Sequence, residues 1–207
     1  MFALVHLQLT KARQGLLSFD KDLAREVIAT EKRVNAQELR IDRDCENYIA
    51  LYNPVAVDMR YILAVLKINS NLERTGDIAE GIARFLIETE SSFDEQLLNV
   101  SGATKMFDEA IYIMEEIESA FEEEDTSLAR KIFKHDEALD QINRAANKVI
   151  ASYISGNPKN TEQALYILST IRKLERVGDQ AKNIAEEIIF YLEAKVVKHS
   201  RKSGEGV

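Results

Sequence analysis

The sequence predicts an all-α fold built as two tandem, pseudo-symmetric three-helix bundles, six helices in all. Two observations carry this. The chain is 45% hydrophobic, and only 8 Gly and 2 Pro interrupt long stretches rich in Ala, Leu, Ile, Glu, Lys and Arg, so helix formers dominate and breakers are few. The chain also repeats itself: LERTGDIAEGIA at 72–83 returns as LERVGDQAKNIA at 174–185, a spacing that fits a whole three-helix unit rather than a short solenoid repeat.

The elements follow in order. A first helix is expected over about 2–17, with Leu4, Leu7, Ala12 and Leu16 as its apolar stripe. Ser18-Phe19-Asp20 breaks it, and Asp20 suits the N-cap of the second helix. That helix ends near Leu51, at Tyr52-Asn53-Pro54, because the residue before proline is pushed out of helical φ/ψ. The third covers about 54–89, a rod of roughly 50 Å at about 1.5 Å per residue. The polar stretch 90–94 is the expected boundary between the halves. A fourth helix covers about 96–121, and the acidic turn 122–125 ends it, with Asp125 or Thr126 as the next cap. A fifth runs to about Ser155 and stops at Gly156-Asn157-Pro158, and a sixth covers about 159–197. The expected organisation is a first repeat at 1–90, a second at 95–199 and a flexible polar tail at 200–207. Short connections favour antiparallel neighbours within each repeat.

The repeat extends beyond its clearest segment. DLAREVIATEKRVNA at 22–36 aligns with SLARKIFKHDEALDQ at 127–141, and Asn53-Pro54 aligns with Asn157-Pro158. In this register Glu31, Asn35, Glu38 and Asp42 correspond to Asp136, Asp140, Asn143 and Asn147. The carboxylate pair on the middle helix therefore moves by seven residues, about two turns, between the halves.

Composition excludes several function classes. A formal charge of −8 offers no basic stripe for nucleic acid. A single cysteine, Cys45, rules out an intrachain disulfide and a cysteine-based zinc or iron–sulfur site, and it is consistent with a reducing compartment. The opening MFALVHLQLTKAR lacks the basic n-region of a signal peptide. No apolar run approaches the roughly 20 residues that span a bilayer, so the expected location is the cytoplasm, without membrane insertion. Enzyme signatures are missing too. No Glu stands three residues before His6, His135 or His199, as a ferritin-like di-iron site requires. There is also no phosphate-cradling glycine loop and no nucleophile elbow.

What remains is a pattern of carboxylates. An Asp follows an Asp or Glu by four residues at Glu38/Asp42, Glu73/Asp77, Glu90/Asp94, Asp136/Asp140 and Glu175/Asp179; chance alone gives about two such pairs, and on a helix each puts two carboxylates on one face about 5–6 Å apart. Glu90/Asp94 lies in the linker. The other four fall two per half, one on the middle helix and one on the long helix. Neighbouring helices would gather them into clusters that repel themselves unless protons or cations neutralise them. An all-oxygen cluster suits hard cations: Mg²⁺, Mn²⁺, Ca²⁺ or oxygen-ligated iron. Gly76 and Gly178 lie mid-helix inside the motif, where glycine costs about 1 kcal/mol against alanine. Their repetition points to a close approach by backbone, ion or ligand, or to tight helix packing.

With EKRVNAQELRID at 31–42, PVAVDMR at 54–60, the two LER-x-GD segments and YLEAKVVKH at 191–199, the chain resembles the PhoU family over nearly its whole length. The resemblance implies two three-helix bundles in a cytoplasmic, non-catalytic protein, often a homodimer. It implies a negative regulator of phosphate uptake and of the phosphate-starvation response, an adaptor between the ATPase subunit of the phosphate transporter and a sensor histidine kinase. It also implies iron or zinc clusters on the acidic motifs. By position these fall on Glu38, Asp42, Glu73 and Asp77 in the first half and on Asp136, Asp140, Glu175 and Asp179 in the second, with Glu31 as an additional candidate. Two alternatives stand beside this: a carboxylate-cluster protein that binds or stores metal, and a regulator of a different phosphate transporter.

Overall fold

The computed structural model describes residues 1–197, and the expected tail at 200–207 lies outside them. Seven α-helices and one 3-10 turn make up these residues: α1 Phe2–Ser18, α2 Lys21–Tyr52, α3 Val57–Glu88, α4 Glu95–Ser101, α5 Ala103–Glu122, α6 Thr126–Gly156, the turn Pro158–Asn160, and α7 Thr161–Glu193.

Local chemistry sets the boundaries. Asp20 caps α2, its carboxylate accepting from the backbone N–H of Asp22 at 2.9 Å and of Leu23 at 3.1 Å. Asp125 caps α6 in the same way, accepting from Ser127 and Leu128, so the expected caps recur in both halves. The expected single helix over 96–121 is instead two. Gly102 stands between them at φ +72°, a left-handed conformation that glycine adopts without a Cβ penalty. The sixth expected helix starts two residues late, after the 3-10 turn, and ends at Glu193 rather than near 197.

Each half folds as an antiparallel group, α1 with α2 and α3, and α5 with α6 and α7. The halves lie side by side: α3 packs along α7 and α1 along α5. A continuous apolar core runs through both, including Leu9, Leu72, Ile82, Phe107, Ile113, Ile132, Leu139 and Ile188. Burial of each such side chain contributes about 1.5–3 kcal/mol. Polar contacts cross the seam as well. Lys67 Nζ reaches both Glu187 oxygens at 3.0 and 3.1 Å, and Asn183 Nδ2 donates to Asn71 Oδ1 at 3.2 Å.

The helices α2 and α6 are the outer layer. Around the α2–α3 turn, Tyr48, Leu51, Tyr52, Val55 and Val57 are exposed, forming an apolar tip on an otherwise charged surface. No helix among the described residues is long and apolar enough to cross a membrane.

A candidate metal centre and its pseudo-symmetric counterpart

In the first half, Glu73 and Asp77 stand one turn apart on α3, and α2 brings Glu31 to them. One oxygen from each of the three lies within 4.8 Å of the others. Gly76 makes this possible. A Cβ at that position would stand 2.8 Å from Glu31 Oε2 and 2.9 Å from Gln8 Oε1, so the bare backbone gives the carboxylate room to enter. From α1, Gln8 Nε2 donates to Glu31 Oε2 at 2.8 Å.

Glu31 is 4% exposed, and its Oε1 has no hydrogen-bond partner. An unpartnered buried carboxylate oxygen is costly unless a proton or cation meets it. The electrostatics of the site agree. Burial first, then the charges of Asp77, Glu80 and Glu38, push the Glu31 pKa up against the opposing Gln8 hydrogen bond. Burial and the charges of Asp77, Glu38 and Glu31 push Glu73 up to about 7. Glu38 is raised by burial and by Asp42 and Asp77, so it shares the field of the cluster. Asp42 is engaged by Asn69, whose Nδ2 donates to Asp42 Oδ1 at 2.9 Å and to the Glu38 carbonyl at 3.0 Å.

The second half repeats the framework with different chemistry. Asp136 on α6 takes the place of Glu31 and is 3% exposed. It rests on Gly178, where a Cβ would stand 2.5 Å from Asp136 Oδ1 and 2.6 Å from Leu139 Cδ1. Here a lysine from the same helix as Glu175 and Asp179 enters the cluster. Lys182 Nζ lies 2.6 Å from Asp136 Oδ2 and 2.7 Å from Asp179 Oδ1. Burial opposes its charge, but the two hydrogen bonds outweigh it and hold the ammonium pKa above its ordinary value. Burial raises Asp136 despite Lys182, and burial with Asp179 and Asp140 raises Glu175. Asp140 is paired outward with Arg144 at 3.0 Å.

Oxygen-only donors suit a hard divalent cation. Both clusters leave a buried oxygen without a hydrogen-bond partner, Glu31 Oε1 and Asp136 Oδ1, and the first-half trio fits such a cation because it gathers three carboxylates. The second cluster does not, because an ammonium already bridges two of its carboxylates. Among the described residues, Glu31, Glu73 and Asp77 are the one group of three acidic, His or Cys side chains gathered this closely.

The family model described as the PhoU domain matches twice, over residues 1–86 and 103–188. The chain belongs to the PhoU family. Relatives at this level include the phosphate-specific transport system accessory protein PhoU of Edwardsiella tarda, 31% identical over 96% of this chain and 81% of that protein. The PhoU homolog of Aquifex aeolicus is 32% identical over 100% of this chain and 92% of its own length. The crystal structure of PhoU from Pseudomonas aeruginosa superposes with a TM-score of 0.85 at 30% identity, covering 94% of this chain and 93% of that one. The phosphate transport system regulatory protein PhoU from Streptococcus pneumoniae gives 0.83 at 26% identity, over 95% and 91%. The all-α PhoU fold expected from the sequence is the one observed.

Within this PhoU-family framework the middle-helix residues nearest the LER-x-GD segments are Glu31 and Asp136. Glu38 is the neighbour of the first trio, whereas Asp42 and Asp140 are engaged by Asn69 and Arg144. Sequence reasoning passed over Gln8 and Lys182. Gln8 carries no pattern of its own. Lys182 did leave a trace, because the repeat places it opposite Glu80.

Proposed function

We propose that this chain is a non-catalytic accessory protein of a phosphate-specific transport system, acting as a negative regulator of phosphate uptake and of the starvation response. In this reading it couples the ATPase subunit of the transporter to a sensor histidine kinase on the cytoplasmic side and works as a homodimer. The observation that carries it is the match along nearly the whole chain to relatives named as accessory proteins of phosphate-specific transport.

The architecture supports an adaptor. A continuous core joins the halves into one body, and the apolar tip at Tyr48, Leu51, Tyr52, Val55 and Val57 offers a surface of the kind that protein partners cover. Linkage makes any coupling between two partners reciprocal. Glu31, Glu73 and Asp77, with Glu38 beside them, would hold a divalent cation such as iron, zinc or manganese. The bound cation would supply positive charge that lets α2 and α3 keep their carboxylates together. Gln8 orients Glu31 for this, and Gly76 sets how closely α2 approaches.

Deletion of the gene tests the reading through a phosphate-repressed alkaline phosphatase reporter in phosphate-rich medium. Derepression that the wild-type protein reverses is the expected result. Repression that is unchanged in the deletion strain overturns the regulatory role.

A further inference from the structure

We propose that Lys182 is a resident cation that closes the second-half carboxylate cluster to metal, so that the chain takes up metal in its first half alone. The inference rests on the cation reading of the first half for its comparison and on the geometry of the second half for its substance.

The two clusters share one framework. Each seats a buried carboxylate from the outer helix, Glu31 or Asp136, on a glycine of the long helix. Each places a Glu and an Asp one turn apart around that glycine, Glu73 with Asp77 and Glu175 with Asp179. They differ in what neutralises them. In the second half the Lys182 ammonium sits 2.6 and 2.7 Å from oxygens of two different residues, one on α6 and one on α7. This is the bridging place a metal would need, and metal–oxygen bonds of roughly 2.0–2.6 Å leave no room for both. The lysine is tethered to α7, so it competes at a high effective concentration. A metal that displaced it would leave a half-buried ammonium to find another partner.

In the first half the register puts Glu80 where the second has Lys182. Glu80 adds negative charge to the field on Glu31, and its own carboxylate is paired with Arg84 at 2.6 Å. Among the described residues no ammonium is paired with the trio. An oxygen without a hydrogen-bond partner is common to both clusters, Glu31 Oε1 in one and Asp136 Oδ1 in the other, so the ammonium is what differs. One reversal of charge at a single repeated position thus separates a cluster that calls for an external cation from one that carries its own.

The test is equilibrium dialysis of the purified full-length chain against Mn²⁺, with elemental analysis. Glu73→Gln is expected to reduce binding to background, because the second cluster is closed. Adding Lys182→Gln to that variant should restore saturable binding at least tenfold above the single variant, and adding Glu175→Gln should abolish it again. Lys182→Gln keeps a hydrogen-bond donor against Asp136. Should its helical circular dichroism nonetheless be lost, Glu80→Lys carries the same question into the first half, where the new ammonium should lower Mn²⁺ affinity at least tenfold. Binding that survives Glu73→Gln and disappears with Glu175→Gln overturns the proposal. So does a folded Glu73→Gln/Lys182→Gln variant that gains nothing, or a folded Glu80→Lys variant that keeps wild-type affinity. The first-half reading is reported separately by the wild type. A wild type that binds no Mn²⁺ while the Lys182 variant gains it overturns the first-half reading and supports the proposal for the second half.

Discussion

Glu31 Oε2 lies so close to the bare Cα of Gly76 that a Cβ on residue 76 would stand 2.8 Å from it. Asp136 and Gly178 repeat the relationship in the second half. The glycine in each LER-x-GD segment is therefore a seat for a carboxylate from the neighbouring helix.

Gly76→Ala is expected to destabilise the fold, although alanine is the better helix former by about 1 kcal/mol. The new methyl meets Glu31, Gln8 and, at 3.2 Å, Val34 Cγ1, and overpacking among buried side chains costs about 1–3 kcal/mol. Gly178→Ala should behave alike, through Asp136 and Leu139. Gly81→Ala is the contrast. It meets only the side chain of Lys173, nearest at Nζ, a flexible end that can swing aside, so alanine there should stabilise by up to about 1 kcal/mol. Thermal melts of the three variants decide the matter, and a stabilised Gly76→Ala would remove the seat from the explanation of the motif.

Stability of the metal-free chain should fall as pH rises from about 4.5 to 7. The Glu73 carboxyl holds its proton up to about 7 in the fold, against an ordinary value of 4.5, chiefly through burial and then through Asp77, Glu38 and Glu31. Within that window the folded chain binds more protons than the unfolded chain, so ionisation favours unfolding, and the loss is complete above it. Glu31, Glu38, Asp136 and Glu175 are shifted in the same direction. The urea midpoint should be lower at pH 8 than at pH 5, and Glu73→Gln should shrink the difference. A midpoint that rises across the window contradicts this account.

Mn²⁺ at about 100 times its dissociation constant should stabilise the wild type by about 2.7 kcal/mol, or about 5–10 °C for a chain of this size. EDTA should reverse the effect. Glu73→Gln should show little of it, because one of the three gathered carboxylates is gone. An equal rise in Tm for both proteins would place the bound ion elsewhere.

The seam between the halves has its own test. Glu187 is 8% exposed and meets Lys67 from α3. Lys67→Ala leaves that carboxylate without its cation, at an expected cost of about 1–3 kcal/mol. A double-mutant cycle with Glu187→Gln should return a coupling above about 0.5 kcal/mol. Additive single-variant effects would mean that the pair does not hold α3 against α7.

The helices and their caps were legible because the signals are local. Asp20 and Asp125 precede amphipathic runs, and proline marks both turns into the long helices. Gly102 carries no break signal in the sequence, because the residues on either side of it continue as helix and the kink depends on one left-handed φ. The candidate site was half legible. Spacing along one helix places Glu73 with Asp77 and Glu175 with Asp179. The height at which the outer helix meets them depends on packing across two helices, and spacing does not encode that. It selects Glu31 and Asp136, and it leaves Asp42 to Asn69 and Asp140 to Arg144. Lys182 escaped for a related reason: its long side chain reaches one turn back to Asp179 and across to α6 at once.

The glycine seats also act as index pins. Each is bounded along its helix face by the residues one turn before and after it, Leu72, Glu73, Ala79 and Glu80 in one half and Leu174, Glu175, Ala181 and Lys182 in the other, so lengthwise sliding of an outer helix against its long neighbour is opposed. Sliding α2 by even one residue of about 1.5 Å would drive the Glu31 carboxylate out of its notch and into a flanking side chain. Motion relayed from one end of this bundle to the other therefore travels as tilt or as whole-body displacement, and helix-past-helix creep is blocked in both halves.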